Sequence, residues 1–230
     1  MARTDFLDRI RVTLTALVIL HHAAIMFGAS GGWYLSYPTT HVAERLPLTI
    51  FVSINQAFFM GFFFLLSGYF SAMSCERKGA MAGSRWLERV GPEQAKRWRL
   101  IAWIVAPLLF IYGIALSLVL GKPFETEGGW SLPALAYAFW EPFVAGGIIL
   151  AMLARFRRKE HASPRWQAWA AQAYGAYTVH PPILTAIGLA TAILPLPNIV
   201  KFVLSGAIGV AASFLAARLV LSLPGAKSIL

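Results

Sequence analysis

Four side chains in this sequence are costly to place in an apolar segment and are also the ones able to do chemistry there: Arg11, His22, Glu141 and His180. A charged or imidazole group inside a hydrocarbon layer requires a partner, a wet cavity or a function. Arg11 and His22 stand eleven positions apart. On a helix that spacing is about three turns, so both project from nearly the same face, with His22 roughly 16 Å further along and near the membrane centre. Two readings stand side by side. In the first, Arg11 holds a phosphate-bearing donor at the membrane surface while His22 takes the proton from an acceptor hydroxyl. In the second, Arg11 snorkels as an anchor and His22 makes a hydrogen bond between helices.

Counted from the nearer ends of their segments, Glu141 and His180 fall at the depth of His22. A carboxylate beside an imidazole orients it or stabilises its charged form. Each residue also has a plain structural role: Glu141 pairs with a backbone group or an amide such as Gln56, and His180 satisfies carbonyls freed by Pro181-Pro182. His21 points about 100° away from His22, which suits the lipid interface or a secondary polar contact. There is no CxxC, HExxH or Gly-rich phosphate loop, and His21-His22 lacks the spacing and third ligand of a metal site. The single Cys75 has no partner for an internal disulfide and reads as a packing residue.

These groups need elements to hold them, and composition says which. With 58% hydrophobic and 13% charged residues, the chain has too few charges to build a water-facing surface. Apolar stretches of the roughly 20 residues needed to cross a bilayer run at about 12–29, 48–73, 100–120, 132–154, 174–194 and 199–222. Lipid offers the backbone no hydrogen-bond partner, so the spans are helices or a closed barrel, and the runs lack the alternation of barrel strands. The expectation is an all-α polytopic bundle of about six transmembrane helices in a single membrane domain, 1–230. Residues 1–29 resemble a secretory signal, but His21 and His22 interrupt the apolar run, so the segment reads as a retained first helix.

The formal charge of +10 is a topology signal. With both ends in the cytoplasm, seventeen of the twenty basic residues lie inside, leaving Arg45, Lys122 and Lys201 outside. Spread over separate loops, they make no patch for nucleic acid. Gly31-Gly32-Trp33-Tyr34 fits an interfacial aromatic belt, 163–172 reads as a polar, tryptophan-containing interfacial stretch, and Leu194-Pro195-Leu196-Pro197-Asn198 as a tight turn. No internal repeat or broken-helix pair supports a transporter.

In their order along the chain, four segments carry a resemblance. They are Leu7-Asp8-Arg9-Ile10-Arg11 followed by His22, an Arg-x10-His pattern; Ala57-Phe58-Phe59-Met60-Gly61-Phe62-Phe63-Phe64-Leu65-Leu66-Ser67-Gly68-Tyr69-Phe70; Trp140-Glu141-Pro142-Phe143; and Ala173-Tyr174-Gly175-Ala176-Tyr177-Thr178-Val179-His180-Pro181-Pro182. The chain resembles the acyltransferase 3 family of bacterial membrane proteins, which move acetyl and other acyl groups from coenzyme A onto glycans and other acceptors. The resemblance implies an enzyme of the bacterial inner membrane with His22 and Glu141 catalytic, Arg11 at the donor, and His180 and Ser67 supporting. Its co-substrate would be acyl-CoA, with acetyl-CoA first in view, its acceptor a glycan or lipid-linked molecule, and no cofactor or metal would be permanently bound. Family members usually have about ten transmembrane helices. Here the family's middle looks missing, with a junction near 92–96 and a loss of four helices, an even number that keeps the remaining helices in their orientation. The shortened chain is then either an acyltransferase or an inactive membrane binding or assembly partner, and its exposed polar faces invite self-association.

Overall fold

The structure, a computed structural model, describes residues 5–77, 91–120, 130–158 and 164–223. The side chains of 69–77, Cys75 among them, fall outside the described residues, as do the basic positions from Lys78 to Arg89 and the loop at 121–129. Among the described residues every regular element is an α-helix: α1 Asp5–Met26, α2 Val42–Arg77, α3 Pro92–Leu120, α4 Leu132–Arg157, α5 Pro164–Ala192 and α6 Asn198–Leu221. All but α5 are both long and apolar enough to cross a membrane, which makes the chain a multi-pass helical membrane protein.

Several boundaries differ from the hydropathy pattern. The first helix begins at Asp5 instead of position 12 and ends at Met26 instead of 29. The third begins at Pro92, eight residues early, so the expected junction near 92–96 is its first turn. The fifth starts at Pro164 and takes in the stretch expected to lie at the interface. Proline suits a first helical position, and Ala168, Ala170, Ala171 and Ala173 favour helix whatever their hydropathy.

The chain falls into two compact units, Met1–Asn55 with Lys159–Leu230, and Gln56–Arg158. In the first, α1 is the central helix. Thr15 Oγ1 bonds Ala173 O at 3.4 Å and His22 meets His180, both across 158 positions, so α1 and α5 run parallel and in register. The opening turns of α2 run antiparallel to α1: Asn55 Nδ2 donates to Leu17 O at 3.0 Å, and Leu48 packs with Ala24 and Ile25. Small residues bring α6 against α5, with Ala217 beside Ala173 and Ala176, and Thr191 bonded to Ser205 at 2.7 Å. Without a hydrophobic drive between helices in lipid, such close packing and hydrogen bonding hold them together.

The second unit pairs α3 with α4. Trp140 Nε1 donates to Ala106 O at 3.1 Å, and Trp98 stacks near Phe143 with centroids 6.4 Å apart. Trp103, Ile104, Leu108, Ile111, Ile114 and Leu118 of α3 are exposed, an apolar face that suits lipid.

Candidate functional site

The site begins with a proline. Pro181 has no backbone N–H, so the carbonyl of Tyr177, four residues back, loses its usual helical donor. His180 Nδ1 takes that place and donates to Tyr177 O. A carbonyl only accepts, so the proton of a neutral His180 sits on Nδ1 and its Nε2 carries a lone pair. That lone pair faces Nδ1 of His22 at 3.1 Å, which makes His22 Nδ1 the donor. The remaining nitrogen of His22, Nε2, therefore carries the ring's lone pair. The tautomers follow from the network, and each step has one solution.

The two imidazoles lie within 3° of parallel with centroids 5.2 Å apart. The centroid distance exceeds the N···N distance by about one ring diameter, as it does when rings meet edge to edge in one plane. Trp33 covers them, its ring 4.0 Å from His22 at 16° and 6.0 Å from His180 at 14°. These separations place the indole over His22 itself. His180 is 3% exposed, whereas His22 is only half-buried.

The chain reaches this position through a tight reversal after α1. Ala29 N bonds Ala24 O at 3.0 Å and Gly28 N bonds Ile25 O at 3.3 Å, the pattern of a Schellman closure with Gly28 at positive φ. Gly31 has φ 142, and a Cβ there would stand 2.7 Å from Ile25 Cδ1. Tyr37 N then bonds Met26 O at 2.7 Å, and Asn198 Nδ2 bonds Tyr37 O at 2.8 Å, tying the loop to α1 and α6.

Thr15 and His22 face α5, and Arg11, four residues before Thr15, falls by helical spacing near the same side of α1. Asp8, one turn before Arg11, attracts it electrostatically. Between Arg11 and His22 the seam is filled: Thr15 bonds α5, and Ile19 packs on Leu184. A path joining the two does not follow this seam. His22 also lies only four residues from the end of α1, about 6 Å, and not at mid-helix.

Glu141 stands half-buried on α4 in the second unit and makes no hydrogen bond or ion pair among the described residues; the expected Gln56 is exposed. Ser67 is exposed on the same unit's part of α2. His21 is 4% exposed and edge-on to His22 at 5.5 Å, so it is buried and not at the lipid interface. The described residues contain no group of three metal-ligating side chains. Sequence reasoning missed Trp33, which it assigned to the interfacial belt, and anticipated that His180 satisfies a carbonyl freed by Pro181. The signals were the glycine pair before the tryptophan and the proline directly after His180. Compared with known proteins, the chain matches no family model, no curated protein and no solved structure.

Proposed function

We propose that this chain is a membrane acyltransferase-like protein in which His22 Nε2 is the base that deprotonates an acceptor hydroxyl. The observation that carries this reading is the bond chain from Tyr177 O through His180 to His22, which leaves a lone pair on a half-buried imidazole. The resemblance of four segments, in order along the chain, to the acyltransferase 3 family supplies the reaction class, and acyl-CoA, acetyl-CoA in particular, is the donor it implies.

In the reaction, the hydroxyl of a carbohydrate or lipid-linked acceptor gives its proton to His22 Nε2 as its oxygen attacks the thioester carbonyl. The new C–O bond forms, the C–S bond breaks, and His22 returns the proton to the departing thiolate, yielding ester and free thiol. While His22 is charged, its bond to His180 is charge-assisted and stronger. His180 is a positioning residue here. Arg11 contacts the phosphates of the donor, whose pantetheine arm reaches the thioester position by a route outside the filled α1–α5 seam. In this reading the donor comes from the cytoplasmic side of a bacterial inner membrane, where the positive-inside count puts Arg11, and the acceptor from the membrane or its far side.

The test uses the whole chain purified in detergent with labelled acetyl-coenzyme A and a panel of glycan acceptors. Donor hydrolysis or transfer is expected, falling about 10²–10⁴-fold in His22→Ala. Turnover that survives that substitution rejects His22 as the base. A chain that binds no donor is instead the inactive membrane partner.

A further inference from the structure

We infer that Trp33 is a positioning residue for His22: by lying flat on the imidazole it fixes the ring plane, and with it the nitrogen that stays bare. The inference rests on His22 as the working base, and its first readout is spectroscopic so that the two stand or fall separately.

Unaided, a histidine has neither a fixed ring plane nor the tautomer needed here. Its χ2 torsion is broad and two-fold, and a free neutral imidazole prefers its proton on Nε2. A proton on Nε2 of His22 would leave no lone pair to work with. The bond to His180 Nε2 at 3.1 Å selects the opposite tautomer, but one hydrogen bond at one corner leaves the ring free to swing about that contact. The 3° alignment of the two imidazoles therefore calls for a second constraint.

Trp33 provides it. Its ring sits 4.0 Å above His22 and nearly parallel, so rotation of the imidazole would drive an edge into the indole face. The indole is itself anchored. It packs against the buried cluster of Ile19, Ala23, Met26 and Leu184 and against the cluster around Ala24 and Ile25, and Tyr34 meets it edge-on at 5.0 Å. The positive φ of Gly31 brings the chain back over the end of α1 to deliver it there. Trp33 Nε1 is buried with no partner among the described residues, so what the residue contributes to the packed chain is its ring face.

The experiment reads the His22 ring nitrogens by nitrogen NMR in the ¹⁵N-histidine-labelled full chain in detergent, at a pH where the imidazoles are neutral, with His22→Gln giving the assignment. The wild type is expected to show His22 with Nδ1 protonated, Nε2 bare, and ring protons shifted upfield by the indole. Trp33→Phe, which keeps an aromatic face, retains that tautomer. Trp33→Leu converts His22 to a mixture of tautomers, and kcat falls about tenfold or more while the donor KM holds, a part of what a general base contributes. A Trp33→Leu chain with the wild-type His22 pattern overturns the inference, as does a Trp33→Phe chain that loses the pattern equally. Should Trp33→Leu fail to fold, the wild-type ring-proton shift decides, and its absence sinks the idea. A fixed tautomer in a wild-type chain without turnover supports the inference and overturns the proposed activity.

Discussion

At the residue scale, His180 unites two roles that the sequence presents as alternatives. It satisfies the carbonyl freed by Pro181, and through that bond it sets the tautomer of His22. His180→Ala removes the acceptor for His22 Nδ1–H and is expected to lower turnover about 10–100-fold, the range observed when the partner orienting a metal-bound imidazole is deleted. His180→Asn, which still offers an acceptor, should recover part of it, and equal rates for the two variants would reject the orienting role. Pro181→Ala separates structure from chemistry more sharply. The restored N–H competes for Tyr177 O and gains a helical bond worth about 0.5–1.5 kcal/mol net. The melting temperature in detergent is expected to hold or rise while turnover falls. A parallel fall in both would mean that the proline serves the packing of α5 alone. The His22–His180 contact was within reach of sequence reasoning because both imidazoles were flagged and placed at one depth. The direction of that bond is not legible there, because only the Tyr177 carbonyl, placed by the fold of α5, shows which ring nitrogen of His180 donates.

At the element scale, the first turn of α6 illustrates how a loop is held. Its N-cap, Pro197, has no side-chain donor or acceptor to offer. Glu44 from the start of α2 substitutes, accepting from Asn198 N at 3.1 Å and from Thr39 Oγ1 at 2.8 Å. A carboxylate there also lies favourably against the positive end of α6. Glu44→Ala is expected to cost about 0.5–2 kcal/mol, as loss of a cap does, with Glu44→Gln milder. Thermal unfolding in detergent measures it, and a Glu44→Ala midpoint equal to wild type would reject the cap. The loop from 27 to 41, which carries Trp33, shares this tie through Thr39 and Tyr37. The helices themselves were readable from apolar length. Their starts were not, since α1, α3 and α5 extend through charged or aromatic first turns where hydropathy is blind and only helix propensity and a leading proline signal the truth. The reversal that folds Trp33 back was hidden because glycine patterns announce a turn without its direction.

At the scale of the whole molecule, the parallel register of α1 and α5 constrains topology independently of charge. The contacts run from Thr15 with Ala173 to His22 with His180, so α5 traverses the same layer as α1 although its composition falls short of an apolar span. Two of its polar side chains, His180 and Thr191, are buried together with the small residues Ala173, Gly175 and Ala176. In the first unit, α6 then runs back against both. The loop around Ser36 and the turn around Leu196 therefore lie at one end, and Ser222 at the other. The distribution of basic residues predicts that the Ser222 end is cytoplasmic. With Cys75 replaced by alanine, single cysteines at Ser36→Cys, Leu196→Cys and Ser222→Cys test both statements in intact cells. An impermeant thiol reagent is expected to label the first two from outside and the third only after permeabilisation. The reversed pattern would overturn the charge-based orientation. Labelling of Leu196→Cys and Ser36→Cys from opposite sides would instead show that α5 does not cross, which would separate His180 from His22 and remove the bond chain on which the base depends.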